Sequence, residues 1–216
     1  MTAGPEDIEL GETTPRLVLT ERLSLAAVTP DDVDDLFTLN TDPAVWWHFP
    51  SGRHVDRAQT ERFVAMCETS WEHDGLGYWT LRDPGSHILL GVGGCMGVRD
   101  VAWNLYYRLR PASQGQGYAT ELVRTARACA AEVDPDRPIV ASLLEHNVRS
   151  RAVVERAGLT LAYRGPDRGN PDPSAVRLLF ADRAVADDVV ARLVRGATVA
   201  ADQGERDGRS TSTVEP

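Results

Sequence analysis

The sequence contains no long apolar run: nowhere do its 216 residues approach the roughly 20 consecutive apolar residues that a membrane-spanning helix needs. Residues 1–14 are polar and acidic, so they do not resemble the apolar core of a secretion signal. These absences lead us to expect a cytoplasmic protein that makes no contact with a membrane.

Cysteine is scarce, with three residues in the whole chain and no Cys-x-x-Cys pair. Cys67, Cys95 and Cys129 lie far apart, which indicates neither a disulfide framework nor a structural zinc site. We predict that all three are small buried hydrophobic residues in a reducing compartment. No metal is expected.

Positive charge is also in short supply. The 23 lysines and arginines are outnumbered by 32 aspartates and glutamates, which gives a formal net charge of −9 at pH 7. Because nucleic-acid binding relies on clustered basic residues, this balance argues against a nucleic-acid partner. The acidic excess fits a cationic substrate only weakly, since many enzymes are acidic merely for solubility.

What the sequence does have is the composition of a globular domain, with 42% hydrophobic and 25% charged residues. Its length suits one domain of ordinary core size. Residues 1–14 and 199–216 are polar, lack apolar periodicity and are predicted to be disordered. Residues 15–198 are therefore the predicted folded domain.

Apolar periodicity and turn residues predict that strands and helices alternate along this domain. The predicted strands are Leu17–Val28 (one strand or a bent pair), Tyr78–Arg82, Ile88–Val98, Trp103–Leu109, Ile139–Leu144, Leu159–Arg164 and Val176–Ala181. The predicted helices begin near Thr29, Asp56, Gly117, Asn147 and Ala184. A strand–helix–strand crossover within a run of antiparallel strands predicts an α/β fold, with a mixed central sheet flanked by helices.

The most informative segment, Tyr106–Ala130, combines an apolar strand, a Gln-Gly-Gln-Gly turn and an amphipathic helix. Gly115 and Gly117 permit a positive φ or a close approach to the backbone. A helix that opens out of a glycine turn directs free N–H groups and the positive end of its dipole at the turn, which favours binding of a phosphate. The alternative is a plain strand-to-helix turn, and two glycines alone favour that interpretation.

Five blocks of sequence stand out in a fixed order: TERLSLAAVTPDD (20–32), GYWTLRD (77–83), LLGVGG (89–94), QGQGYATE (114–121) and NVRSRAVVERAGL (147–159). Together they resemble the GNAT superfamily of acyl-CoA-dependent N-acetyltransferases, in particular the branch that contains the ribosomal-protein N-terminal acetyltransferases. The resemblance covers roughly Pro15 to Arg183. It implies a GNAT-like sheet, mostly antiparallel, with one splayed strand pair.

The resemblance identifies the expected anion as the pyrophosphate of coenzyme A. It implies that this group is cradled by the backbone amides of Gln114, Gly115, Gln116, Gly117, Tyr118 and Ala119. It also implies that the strand Trp103–Leu109 splays from the strand Ile139–Leu144 and that the pantetheine arm of acetyl-CoA lies between them. There the arm would bond to exposed backbone near Tyr107 and Leu109.

Asn147 and Ser150 match the Asn-x-x-Ser signature of the family. The resemblance implies that Asn147 caps a helix and contacts the cofactor arm. It implies that Ser150 acts as, or relays to, the acid that protonates the leaving thiolate, because Val154 replaces the tyrosine that many relatives use. A simple capping hydroxyl is an equally good interpretation of Ser150.

The glutamate that often serves relatives as a general base is replaced by Asn104. Removal of the amine proton would then fall to Glu145, which follows a strand that ends at the cleft, or to His146 or His48. The alternatives are a solvated acid for Glu145 and surface or structural imidazoles for the histidines.

The acceptor wall is expected near Trp47 and His48, with Tyr106 narrowing the cleft, although an ordinary aromatic core under a long loop is the alternative. In the loop 165–175, Asp167 and Asp172 could hold a cationic group of the acceptor or simply form turns.

The predicted function is transfer of an acetyl group from acetyl-CoA to a primary amine, in a small molecule or at a peptide or protein N-terminus, by direct attack in a ternary complex. The alternative is a catalytically degenerate domain that binds acyl-CoA or a protein partner. Ala112 and Asn104 favour it, because they replace a usual phosphate contact and the usual base. Dimers are common among relatives, so a homodimer is an open expectation.

Overall fold

The computed structural model describes residues 15–168 and 170–195, and the ends predicted to be disordered, 1–14 and 199–216, lie outside these ranges. The strands are β1 (Leu17–Leu19), β2 (Ser24–Ala27), β3 (Tyr78–Arg82), β4 (Leu89–Val98), β5 (Ala102–Leu109), β6 (Ile139–Leu144), β7 (Thr160–Pro166) and β8 (Val176–Ala181). The α-helices are α1 (Val33–Thr41), α2 (Arg57–His73), α3 (Tyr118–Val133), α4 (Val148–Arg156) and α5 (Asp187–Arg195). None of these helices is long and apolar enough to cross a membrane.

All eight strands form one sheet, in the order β1-β2-β3-β4-β5-β6-β8-β7. Every neighbouring pair is antiparallel except β5 and β6. That parallel pair follows from the crossover through α3, because parallel neighbours need a long connection. The predicted mixed, mostly antiparallel sheet flanked by helices is confirmed.

The structure refines two predicted elements. The segment Leu17–Val28 is a bent pair of strands, because the Thr20 N–H donates to the Leu23 carbonyl at 2.9 Å and turns the chain. The helix predicted to begin near Thr29 first makes a 3-10 turn, in which the Asp32 carboxylate accepts from the Thr29 N–H at 3.0 Å. Regular α-helix follows from Val33.

Two apolar layers cover the faces of the sheet. The larger layer packs α3 and α4 against the sheet and contains Trp79, Trp103, Leu122 and Phe180. The other layer lies under α1 and α2. All three cysteines are buried and unpaired, as predicted.

Candidate active site

Strands β5 and β6 separate soon after they begin. They pair at only two positions, the last of which joins Asn104 to Val140. Beyond this point β5 stays paired with β4 as far as Leu109, and β6 stays paired with β8 as far as Leu144. The sheet therefore opens into a wedge between two well-held strands, which confirms the predicted splay.

The edge of β5 presents main-chain groups to this wedge. The Trp103 N–H donates to the Pro138 carbonyl at 2.8 Å on the β6 side. Since main-chain groups alternate sides along a strand, those of Tyr107 and Leu109 face the gap. One of them is occupied, because the Leu109 carbonyl accepts from Gln114 Nε2 at 3.2 Å.

The segment 114–119 leads from β5 into α3. Gly115 and Gly117 have φ of +77° and +86°, where a residue with a side chain is strained. The Gln114 N–H donates to the Pro111 carbonyl at 3.2 Å, so this predicted donor is occupied. No acceptor among the described residues bonds to the N–H groups of residues 115–119. Five adjacent free donors at a helix N-terminus are suited to binding an anion, and they form the candidate anion site.

Arg22 holds this segment from the turn between β1 and β2. Its Nε and Nη2 lie 2.8 and 2.7 Å from the buried Glu121 carboxylate, and its Nη1 donates to the Gln116 carbonyl at 2.8 Å. Its guanidinium also lies 5.1 Å from the centre of the Tyr118 ring. Burial raises the pKa of Glu121, but hydrogen bonds from Thr20 and Arg22 outweigh it and lower the pKa. Sequence reasoning missed Arg22, which lies 99 residues from its carboxylate partner.

A pair of hydroxyl groups lies on the α3 and α4 side of the wedge. The Tyr107 hydroxyl donates to Ser150 Oγ at 3.0 Å. The Ser150 N–H in turn donates to Asn147 Oδ1 at 3.2 Å, so Asn147 caps α4 as predicted. Burial raises the pKa of Tyr107, an effect that its bond to Ser150 only partly offsets, and the phenol therefore stays protonated near neutral pH. The sequence indicated only a backbone role for Tyr107.

The opposite face of the wedge is aromatic. The rings of Tyr78 and Tyr106 stack with their centres 5.0 Å apart, and Phe63 lies 6.4 Å from Tyr106. Asn104 Nδ2 donates to the Tyr78 hydroxyl at 2.7 Å. Burial holds the pKa of Tyr78 well above its usual value. Asn104, which stands where many relatives carry a glutamate base, thus supports the aromatic cluster.

Arg108 lies beside this cluster, and sequence reasoning missed it. Its Nε donates to the Tyr106 hydroxyl at 2.7 Å, and its Nη1 donates to the Val45 carbonyl at 3.4 Å. Its Cζ lies 3.3 Å from the centre of the Trp46 ring. No carboxylate within residues 15–168 and 170–195 forms an ion pair with it.

Histidines border the same pocket. Burial and then the charge of Arg108 lower the pKa of both His48 and His54 to about 4, so both are neutral near pH 7. Trp47 is half exposed and meets the His48 ring edge-on, with ring centres 5.6 Å apart. His146 Nε2 lies 2.7 Å from the His48 carbonyl oxygen. This contact joins the residues that precede α4 to the segment that contains Trp47 and His48.

Gln116, Gly117 and Tyr118 of the predicted cofactor segment do not line the cavity. Neither do Glu145 and Asp172, which were predicted to act on the acceptor. Arg164 Nε and Nη2 bind the Glu145 carboxylate at 2.7 and 3.1 Å and lower its pKa. The Asp172 carboxylate accepts from the hydroxyl and N–H of Ser174 at 2.6 and 2.8 Å, and these bonds lower its pKa. The contacts favour a paired surface acid for Glu145 and a turn-forming residue for Asp172.

One cavity of about 740 Å³ connects the glycine segment, the hydroxyl pair and the aromatic cluster. Its lining comes from both faces of the sheet and from both strands that flank the wedge. The predicted site residues that it brings together are Trp47, His48, Tyr106, Tyr107, Leu109, Gln114, Gly115, Ala119, Asn147 and Ser150. A single space therefore reaches the anion site at one end and the aromatic pocket at the other.

The described residues also contain a group with metal-ligand spacing. One ligand atom each from His73, Asp74 and Asp100 lie within 4.8 Å of one another. Arg137 Nη1 already pairs with Asp74 at 2.8 Å, so its positive charge competes with a cation there.

Known structures share this fold. A GnaT-family acetyltransferase from Bordetella pertussis aligns with a TM-score of 0.66 at 20% identity, over 77% of this chain and 99% of its own. The ribosomal L7/L12 α-N-protein acetyltransferase RimL, in complex with coenzyme A, aligns with a TM-score of 0.65 at 20% identity, over 78% and 97%. The microcin C7 self-immunity acetyltransferase MccE, in complex with acetyl-CoA and AMP, aligns with a TM-score of 0.62 at 12% identity, over 77% and 94%.

The family itself is shown at the level of sequence. A family model described as an acetyltransferase (GNAT) domain matches residues 22–160, which is more than half of the chain. The matched region contains the splayed strands, the glycine segment and the hydroxyl pair described above. The chain therefore belongs to the GNAT family of acetyltransferases.

Proposed function

We propose that this protein transfers an acetyl group from acetyl-CoA to a primary amine in a ternary complex. The observation that carries the proposal is the single cavity through the wedge, which opens on free main-chain donors on one face and on an aromatic pocket on the other. Cofactor and acceptor can thus approach one point from opposite faces of the sheet. Direct attack requires this kind of arrangement, because it brings both reactants to one place.

The residues of the cofactor half fit coenzyme A. The free N–H groups of residues 115–119 suit a pyrophosphate. The main-chain groups of Tyr107 and the N–H of Leu109 suit the amides of the pantetheine arm, whereas the Leu109 carbonyl already accepts from Gln114. RimL and MccE are structures with coenzyme A or acetyl-CoA bound, which supports the same role here. When bound, acetyl-CoA supplies the acetyl group as a thioester.

Ser150 and Tyr107 are the groups we assign to the leaving sulfur. Transfer gives one proton to the thiolate and removes one from the amine nitrogen. Ser150 Oγ accepts from the Tyr107 hydroxyl at 3.0 Å, so its own proton is free to point elsewhere. We assign this proton to the sulfur, with Tyr107 stabilising the Ser150 oxygen and solvent restoring the proton afterwards.

The lining of the wedge offers the amine proton no free carboxylate among the described residues, because Asp74, the one carboxylate in the lining, is paired with Arg137 at 2.8 Å. We therefore assign removal of this proton to solvent. Glu145 is bound by Arg164, and Asn104 is bound to Tyr78. An acceptor with an intrinsically low pKa therefore suits the site, and an α-amine at about 7.7–8.0 meets this need far better than a lysine side chain at about 10.4. The positive charge of Arg108 lowers the pKa of a nearby ammonium further. RimL is described as an α-N-protein acetyltransferase, which supports this choice.

Calorimetric titration and turnover assays test the proposal. We expect acetyl-CoA to bind, and we expect thiol release with α-amines to exceed that with lysine-type amines on the order of 100-fold at neutral pH, because the neutral fractions differ by about this factor. Absence of heat with high micromolar acetyl-CoA would contradict cofactor binding.

A second candidate is a binding domain without catalysis. The engagement of both Glu145 and Asn104 favours it, because neither can act as a base. Binding of acetyl-CoA without thiol release across peptides, amino acids and polyamines would support this candidate over the first.

A further inference from the structure

The cavity lining carries an excess of positive charge, although the chain as a whole has a net charge of −9. The arginines among its lining residues are Arg99, Arg108, Arg149 and Arg177. The one carboxylate among the described lining residues is Asp74, which Arg137 neutralises at 2.8 Å. The loop carboxylate of Asp167, a predicted contact for a cationic acceptor, is itself held by an arginine at 2.8 Å.

Three of the four lining arginines already have partners. Arg177 makes the bidentate pair with Asp167. Arg149 Nη1 donates to Gln114 Oε1 at 3.1 Å beside the cofactor segment. Arg99 donates to a backbone carbonyl of α5.

Arg108 differs from Arg177 in having no counter-ion among the described residues, and from the exposed Arg99 and Arg149 in being half-buried. Its position is fixed by the Trp46 ring, the Tyr106 hydroxyl and the Val45 carbonyl. A guanidinium has five N–H donors in a rigid fork, and the described residues engage only two of them. A partly buried cation without a counter-ion is costly, and a ligand of opposite charge bound here would offset that cost.

We propose that the acceptor amine carries a carboxylate and that Arg108 binds this group through the free edge of its guanidinium. The inference rests on the proposed function and specifies its acceptor. Arginine and carboxylate pair in a plane through two parallel bonds, which selects a carboxylate by shape as well as charge. His48 and His54 lie beside Arg108 and are neutral. The charge that attracts the carboxylate is therefore that of Arg108.

The carboxylate can belong to an acidic side chain near a peptide N-terminus or to a free amino acid, and matched probes distinguish these sources. One pair consists of two peptides that differ only by Glu or Gln at the second position. The other pair is an amino acid and its carboxamide. Each probe is measured by thiol release and, independently of turnover, by calorimetric titration into the protein loaded with coenzyme A.

For the natural sequence we expect the charged member of one pair to be preferred by about 10- to 100-fold, the effect of a charge-assisted bond. Arg108→Gln should reduce this preference to about twofold or less while changing the uncharged member much less. Arg108→Lys should keep part of it, since the charge remains and the fork is lost. Arg99→Gln is the matched control, because it removes one cavity charge elsewhere and should leave the preference intact.

Equal use of the charged and uncharged members by the natural protein would overturn the inference without any variant. An unchanged preference in folded Arg108→Gln, or an equal loss in Arg99→Gln, would also overturn it. Thermal unfolding of each variant establishes that it is folded. If Arg108→Gln does not fold, the preference is measured in Arg108→Lys instead, and an unchanged preference there would overturn the inference. Binding of acetyl-CoA with no turnover of any amine would contradict the proposed function instead, while the titration into the coenzyme A complex would still report the carboxylate preference.

Discussion

The two halves of the cavity are built in different ways. In the half that we assign to the cofactor, which we call the cofactor half, the groups open to a ligand are main-chain groups of one contiguous segment, residues 115–119, and of the open edge of β5. In the half that we assign to the acceptor, the acceptor half, they are side chains from separate elements, such as Trp46, Phe63, Tyr78 and Arg108. Binding through backbone groups depends little on the identity of the surrounding side chains. Binding through side chains can change its specificity with a few substitutions.

The cofactor half should therefore be sensitive mainly where the backbone conformation is special. Replacing Gly115 and Gly117 together by Val should weaken acetyl-CoA binding by at least about 100-fold, because each positive φ costs of the order of 1–3 kcal/mol with a side chain present. Gly158→Val is the control, since its φ of +82° imposes the same strain at a residue that does not line the cavity. Calorimetric titration should give that control nearly unchanged affinity. Undiminished affinity in the folded double variant would contradict the anion site.

The support of the cofactor half by Arg22 and Glu121 should appear in stability. Glu121→Gln should lower the free energy of unfolding by about 2–3 kcal/mol, because a 6% exposed carboxylate and its charged partner lose their pairing. The exposed pair Arg151–Glu155 offers a control, and Glu155→Gln should cost about 0.5 kcal/mol or less. Urea unfolding measures both. Equal costs would show that the buried contact adds nothing.

The folded pKa of Glu121 lies below its unfolded value, so its contribution to stability is present above the unfolded pKa and is lost as the pH falls through the folded one. The Glu121→Gln variant should consequently lose less stability than the natural protein on acidification.

The hydroxyl pair lies where the two halves meet, and it should act on turnover more than on binding. Tyr107→Phe and Ser150→Ala should each lower kcat by about 10- to 100-fold, because general acid catalysis by one group is of this size or larger. Acetyl-CoA affinity should change little. In the double variant the losses should not multiply, since both residues serve one relay. Fully multiplicative losses of kcat would show that the two hydroxyls act independently and would contradict a shared relay.

The histidines of the acceptor half should make the folded protein less stable in mild acid. The pKa of His54 is about 4 in the folded protein and near 6.5 when unfolded. The unfolded state therefore binds more protons between these values, and stability falls as the pH decreases from 6.5 to 4. His54→Asn should reduce this loss by roughly 1–2 kcal/mol after allowance for solvent screening. Urea unfolding at pH 4.5 and 7.5 measures the change, and an identical acid loss in both proteins would contradict it.

Local patterns were enough to predict much of the fold and the cofactor half. The Asp56 and Gln59 side chains form a capping box at the start of α2, where a helix was predicted to begin, with bonds of 2.9 and 3.2 Å. Arg99 and Asp100 have φ of +54° and +56°, as a tight hairpin between β4 and β5 requires. The glycine segment and the Asn147 cap were also visible, because each depends on neighbours within a few residues.

The acceptor half escaped the same reasoning at its most informative residues. The position of Glu145 at the end of β6 suited a general base, but Arg164, 19 residues away in the sequence, binds its carboxylate. Arg108 had no local signature at all, since its significance comes from Trp46 and from the absence of a paired carboxylate among the described residues.

The sequence by itself determined the order of the elements, the crossover that separates β5 from β6 and the run of free amides that opens α3. These are properties of short segments, governed by backbone conformation and apolar periodicity. Only the tertiary structure decided which charges are paired and which remain unpaired, because that depends on side chains brought together from distant parts of the chain. The choice of acceptor rests on this second kind of information.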